Sequence, residues 1–166
     1  MHNTTAFDAV AFRQAIGSFA TGVAVATCRT ADHSCGITVN SLTSVSLDPP
    51  LILFCLSNRT RVYPDFMAAN QFALNILASG QEHLSRHFSG SHAEDWTGIA
   101  TLPETDTPPL LAGCMAWLMC RIHTIHPGGD HAIIVGEVTK LGCEPTAQPL
   151  LYFRKQYRHL PSGQER

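Results

Sequence analysis

With 166 residues, 45% of them hydrophobic, the chain is long enough for one domain with a substantial core; residues 1–166 are expected to form a single domain with its core at 12–160 and flexible tails at 1–6 and 161–166. A net charge of -2 without a basic stripe excludes a nucleic-acid footprint, and no apolar run approaches the ~20 residues that span a bilayer. Charged residues make up only 14% of the chain, against a usual figure of roughly 25%, so an oligomer that covers neutral surface is expected.

The first ten residues carry neither a basic n-region nor an apolar h-region, so no secretory signal is expected. The six cysteines (28, 35, 55, 114, 120 and 143) are irregularly spaced and form no CxxC. They read as reduced, buried thiols of a cytoplasmic protein. Thr5 with Asp8 resembles a capping box that opens a helix with Phe12, Ile16 and Phe19 on one face, ended by Gly22. Residues 22–29, 36–41, 43–47 and 51–56 have strand patterns, with a polar turn at 31–35 and a second turn forced by Asp48, Pro49 and Pro50.

A polar loop follows at 57–60, in which Thr60 is placed to cap a short helix that tolerates Pro64 in its first turn. Residues 71–77 form another strand, and Ser79 is placed to cap a short helix at 81–88. Residues 89–113 make a long loop of the length that tends to be functional or lid-like. Two long strands, 114–126 and 131–142, are joined by a turn of Pro127, Gly128, Gly129 and Asp130, and 149–160 closes the chain as a further strand. At least six strands without βαβ alternation predict a mostly β fold: an antiparallel barrel with short peripheral helices.

The spacing of Gly17 and Gly22 suits a P-loop, but Val23 and Ala24 stand where Lys and Ser/Thr are required. No GxGxxG, GxSxG or HExxH is present. His83 and His87 lie four apart on a predicted helix without a third ligand and read as surface histidines. His123 and His126 alternate to opposite faces of their strand, so no metal is expected with His131.

What remains is a set of polar groups at strand ends. Residues 36–53 carry Thr38, Asn40, Ser41, Thr43, Ser44 and Ser46, short groups that suit a flat, polar-edged ligand and equally suit an edge strand. Ser57, Asn58, Arg59, Thr60 and Arg61 combine hydroxyls and guanidinium groups ahead of a helix, fit for a phosphate or for a solvated turn. Arg86 near Phe88, His131 after its turn, and Tyr152, Arg154 and Tyr157 near the end are also placed for ligand contact, or for ordinary strand and helix roles.

The ordered set of motifs resembles the flavin reductase-like family, the small reductases of two-component flavin-dependent monooxygenases. It is carried by FRQAIGSFATGVAV (12–25), GITVNSLTSVSLDPPLILFCL (36–56), FALNIL (72–77), LSRHF (84–88), PLLAGCMAWLMCRI (109–122), GGDHAIIVGEV (128–138) and PLLYFRKQYRHL (149–160). The resemblance implies an FMN-binding split barrel, a homodimer, that reduces FMN or FAD with NADH or NADPH and passes reduced flavin by diffusion to a partner monooxygenase. It places Thr38, Asn40 and Ser41 at the flavin ring edge and ribityl chain, Ser57, Arg59, Thr60 and Arg61 at the phosphate, and Asn75 nearby. Arg86 and Phe88 fall at the outer part of the nucleotide, and His131 and Tyr157 at the nicotinamide, with His131 as the positioning group. The chain departs from the family where Leu42 replaces a commonly aromatic residue and where Lys155 and Gln156 replace a frequent glycine pair. A flavin-binding electron carrier without nicotinamide activity, or a flavoenzyme with its own organic substrate, are the alternative activities.

Overall fold

Alternating apolar side chains and tight turns fold the chain into antiparallel sheets with three short helices outside them. The computed structural model describes residues 8–90, 93–103 and 107–161. In chain order the elements are α1 (Ala9–Ile16), β1 (Thr21–Gly22), β2 (Ala24–Arg29), β3 (Ser34–Val39), β4 (Thr43–Leu47), β5 (Pro50–Ser57), α2 (Tyr63–Ala68) and β6 (Gln71–Ile76). A 3-10 turn (Ser79–Gln81) then leads into α3 (Glu82–Ser89), followed by β7 (Ala116–Gly128), β8 (His131–Cys143), β9 (Leu151–Phe153) and β10 (Gln156–Arg158).

Seven strands form one antiparallel sheet in the order β3-β2-β6-β7-β8-β5-β4, and β1, β9 and β10 form a second, three-stranded one. The large sheet curls until the chain after β3 meets β5. There Ser41 Oγ accepts from Cys55 N at 2.9 Å and donates to Cys55 O at 3.4 Å, so a side chain makes the bond that a strand ladder would make in a closed barrel. The expected mostly β, split-barrel fold is what the chain adopts.

Inside the curl lie Phe54, Phe66 and Phe72, all fully buried, with Phe54 packed edge-on against both other rings at 5.8 and 5.2 Å. Gly136 is required beside them, since a Cβ there would run into the Phe72 ring. A second apolar cluster of Val23, Val25, Leu77, Leu84, Phe88, Leu111 and Leu150 seats α3 on the outside of the sheet. This packing fixes the wall along which the site lies.

Several local expectations change. Asp8 alone caps α1, accepting from Val10 N at 2.9 Å, while Thr5 lies outside the described residues. The helix ends at Gly17 rather than Gly22. No side-chain cap bond is made by Thr60 or Ser79: α2 starts after Val62, and α3 follows the 3-10 turn, where Gln81 Oε1 accepts from Ala78 N at 3.0 Å. The β7–β8 turn is tighter than expected, because Pro127 and Gly128 pair with Ala132 and His131 and leave only Gly129 and Asp130 in the loop. By Pro127, β7 has run past its pairing with β6, so a missing backbone N–H costs the ladder nothing on that side.

The expected closing strand 149–160 is a hairpin. Phe153 pairs with Gln156, and the two residues between them, Arg154 and Lys155, have φ of 49° and 63°. Such primed turns match strand twist but favour Asn-Gly or Gly-Gly, and a side chain in this region costs roughly 1 kcal/mol per residue. The loop 89–113 is not a free lid in its described part. Trp96 Nε1 donates to Ser34 O at 2.8 Å, Gly36 N donates to Ala93 O at 2.8 Å, and Leu110 and Leu111 are buried.

Cys28, Cys35 and Cys120 are buried as expected, Cys55 and Cys114 are half-buried, and Cys143 is exposed. Burial pushes the Cys114 and Cys120 thiols up to about 12, and a bond to Cys35, together with burial, raises Cys28 further. The native state therefore keeps protons that the unfolded chain releases above its ordinary thiol value of 9.0. Stability from these groups is whole below that pH and falls above it, by about 1.4 kcal/mol per pH unit for each thiol. Denaturant unfolding at pH 10.5 should give a free energy lower than at pH 8 by on the order of 6 kcal/mol, the contribution of three such thiols over about 1.5 pH units; equal values would contradict the burial of these thiols.

Candidate functional site

A groove follows the free edge of β3 and opens into three hollows. The largest, about 800 Å³, lies between α1 and the chain leaving β3, walled by Phe12, Ile16, Phe19, Asn40, Ser41 and Tyr152. A middle one of about 220 Å³ is lined by Thr38, Asn40, Ser85, Ser89, Tyr152 and Tyr157. The third, about 370 Å³, is bounded by Ser57, Arg59, Thr60, Arg61, Phe88 and Ala93. Asn40 is common to the first two hollows and Ser89 to the last two, so they form a continuous path.

The groove exists because β3 has β2 as its only strand neighbour. The described part of loop 89–113 covers the first half of β3, at Ser34 and Gly36, and α3 stands over the strand farther along. Gly36 faces Phe88 so closely that a Cβ would lie 2.8 Å from its ring, which draws α3 against the strand. Thr38 Oγ1 donates to Ser85 O at 2.7 Å and pins the next turn of α3. Ser85 Oγ then bonds Tyr157 Oη at 2.8 Å, and Tyr157 packs edge-on against Tyr152 with ring centres 5.4 Å apart.

The third hollow is made by a tight turn after β5. Arg59 N donates to Ser57 Oγ at 3.3 Å and Thr60 N to Ser57 O at 3.2 Å, leaving the guanidinium groups of Arg59 and Arg61 exposed. Two cations, three hydroxyls and no lining carboxylate suit a phosphate. The largest hollow has the opposite character, with aromatic and aliphatic walls interrupted by Asn40 and Ser41. One end of the groove thus suits an anion and the other a flat ring system. Neither end presents a carboxylate for acid–base work.

Most of the expected site residues come together: Thr38, Asn40, Ser41, Ser57, Arg59, Thr60, Arg61, Phe88 and Tyr157 all line this path. Three do not. Asn75 is fully buried, with Nδ2 within 3.2 to 3.5 Å of Val25 O, Thr27 Oγ1 and Pro109 O, and Oδ1 accepting from Leu111 N at 2.8 Å. It joins β2, β6 and the loop 107–111 and is unavailable to a ligand. Arg86 lies outside the hollows; it holds Glu82 at 2.6 Å and its guanidinium sits 5.0 Å from the Tyr157 ring centre. That ring is the link between Arg86 and the groove.

His131 pairs across the sheet with Ser57, not near Tyr157, so the two residues expected to share the nicotinamide are on different parts of the chain's surface. Its Nδ1 is 2.7 Å from Asp130 Oδ1. The histidine holds the Asp130 carboxyl below its ordinary range, with a smaller contribution from Arg59. His131 therefore stands beside Ser57 at the start of the 57–61 turn and lines none of the three hollows.

The sequence reading placed Phe12, Ile16 and Phe19 on one helix face without assigning that face to the site, and all three line the largest hollow. The signal was their helical spacing, yet α1 buries none of its residues. Ser85 and Ser89 carried no signal, because serine on a short helix is ordinary. Among the described residues His33, Asp65 and Glu94 bring donor atoms within 4.8 Å of one another, and none of the three lines the hollows.

The sequence model described as "Flavin reductase like domain" matches residues 16–161. The reductase component of 4-hydroxyphenylacetate 3-monooxygenase from Thermus thermophilus is 39% identical over 150 residues, covering 90% of this chain and 95% of that protein. An NADH-dependent FAD reductase of Streptomyces globisporus is 37% identical over 161 residues, covering 91% of this chain and 85% of that protein. Among solved structures, the NADH:FAD oxidoreductase of Streptomyces globisporus C-1027 in complex with NAD and FAD fragments superposes with a TM-score of 0.89 at 34% identity, over 95% of this chain and 96% of that one. On fold, motif order and groove alike, this chain belongs to the flavin reductase-like domain family.

Proposed function

We propose that the chain is an NAD(P)H:flavin oxidoreductase, a single domain over residues 1–166, that reduces FMN or FAD and releases the reduced flavin to a partner monooxygenase. The observation that carries this is the two-ended groove: a cationic, hydroxyl-rich hollow and a large aromatic-walled one, linked by a middle hollow that shares Ser89 with the first and Asn40 with the second. The residues present fit a flavin nucleotide. Arg59, Arg61, Ser57 and Thr60 hold the phosphate, Thr38 and Asn40 meet the ribityl chain and ring edge, and Phe12 and Phe19 wall the ring region from water.

When both nucleotides are bound, the nicotinamide supplies a hydride and the solvent a proton, so that one flavin is reduced for each NAD(P)H oxidised. The protein's part is to bring the two rings face to face and exclude water, which needs no lining carboxylate. The names of the relatives point to NADH and FAD as the first pair to try. The groove opens along one edge of the sheet, which suits a flavin that must leave.

The assembly we propose is a homodimer in the cytoplasm. Val10, Phe12, Ile16 and Phe19 are 55 to 77% exposed on α1 and its exit, and Leu47 on the edge strand β4 is 90% exposed. So much apolar surface on a chain poor in charge favours a second copy over water. Among the described residues no helix is long and apolar enough to cross a membrane. Steady-state oxidation of NADH and NADPH with FMN, with FAD and without flavin tests the activity. Turnover that depends on added flavin supports the reductase. Tightly retained flavin that never consumes NAD(P)H would make the chain an electron carrier instead.

A further inference from the structure

The largest hollow has two cations in its lining, Arg13 from α1 and Lys155 from the β9–β10 turn. They reach the same hollow because Arg154 N donates to Gly17 O at 3.0 Å, while Gly17 N donates back to Arg13 O at 2.9 Å. The turn is thereby tied to the end of the helix that carries Arg13. Neither cation forms an ion pair with a carboxylate among the described residues, and no Asp or Glu lines the hollow.

Lys155 is held there against its backbone preference. At φ 63° the position favours glycine or asparagine, and nothing in the ladder between Phe153 and Gln156 calls for a long side chain. A strained residue whose side chain lines a ligand-sized hollow points from geometry to use. The hollow's walls suit a flat ring, and its two cations suit an anion attached to that ring. The flavin phosphate is already served at the other end of the groove by Arg59 and Arg61.

We infer that Lys155 and Arg13 bind the pyrophosphate of the nicotinamide dinucleotide and set the affinity for that co-substrate, separately from the flavin. This rests on the reductase reading above. A nicotinamide that meets the flavin ring in the largest hollow brings its anionic tail out at that end of the groove, away from the flavin phosphate, and the chain provides a cationic pair at each end.

The test is calorimetric titration of NAD+ into the flavin-loaded protein, beside steady-state kinetics with NADH, for wild type, K155G, K155R, R13Q and the K155G/R13Q pair. Glycine at 155 suits the observed φ, so K155G keeps the hairpin. Each single loss should weaken NAD+ binding and raise KM for NADH by roughly fivefold, with kcat within about twofold. Both effects should shrink as ionic strength rises, K155R should restore wild-type values, and flavin affinity should not move. Unchanged NAD+ affinity in the double variant, or equal weakening of NAD+ and flavin, would overturn the assignment. So would a change in oligomeric size in K155G, which would place Lys155 in a subunit contact. A wild-type chain that oxidises NADH beside an unaffected double variant sinks this inference alone; a wild type inert to NADH and NADPH sinks the reductase reading and this inference with it.

Discussion

Asn75→Ala is expected to lower the unfolding free energy by about 3 kcal/mol while leaving the flavin affinity of the folded protein unchanged. The side chain is fully buried and serves four partners, and alanine would leave Leu111 N without its acceptor and Pro109 O with one donor fewer. A buried polar group stripped of its partner costs roughly 1–3 kcal/mol, and here at least two are affected in a low-dielectric setting. Thr27 Oγ1 still reaches Pro109 O at 2.7 Å, which keeps the loss from being larger. Urea unfolding followed by tryptophan fluorescence, with flavin titrated into the folded variant, separates the two outcomes. Unchanged stability with weakened flavin binding would return Asn75 to the ligand site.

The reverse pattern is expected of the turn after β5. Replacing Arg59 and Arg61 together with alanine should weaken flavin nucleotide binding by roughly ten- to hundredfold and flatten its salt dependence, because each charge-assisted contact to a phosphate is worth about 1.5–3 kcal/mol before solvent screening. Stability should change by no more than about 0.5 kcal/mol, as both side chains are exposed and neither forms an ion pair among the described residues. Riboflavin, which lacks the phosphate, should bind wild type and variant alike. A double variant that binds FMN as tightly as wild type would remove the phosphate from this hollow.

The contrast between Asn75 and Arg59 marks what was legible in the sequence. The strands at 24–29, 51–56 and 71–76 were legible as short apolar runs: β5 alternates in burial, whereas β2 and β6 are buried at consecutive positions, on both faces of the sheet. The polar run 38–41 and the loop 57–61 suited a ligand and an ordinary edge strand or turn equally, and it was the family resemblance that assigned them to a flavin; in the fold they line one groove. Asn75 sits in an equally polar-looking context, yet its partners come from the loop 107–111, and no local pattern announces a contact across more than thirty residues.

Other misreadings have similar roots. The closing segment looked like one strand because Arg154 and Lys155 carry no turn chemistry; their positive φ is imposed by the hairpin, not announced by glycine. Phe12, Ile16 and Phe19 keep helical spacing whether the face they make is buried or left open beside a hollow. His131 was paired with Tyr157 by analogy of motif, whereas strand register seats it opposite Ser57. In each case the type of element was local information and its neighbour was not.

Ser41 carries a further lesson about the site. Its hydroxyl both accepts from and donates to Cys55, so it is part of the barrel's closure as well as of the hollow's wall. Asn40, half a turn of strand away and free of that duty, is the cleaner probe of ring-edge contact.

The central claim, that this chain moves a hydride from a nicotinamide to a flavin in one groove, is tested most directly by anaerobic stopped-flow mixing of the flavin-loaded protein with NADH and, separately, NADPH. The account predicts loss of the oxidised-flavin absorbance at a rate that saturates with at least one of the two. Flavin that remains oxidised with both would contradict it.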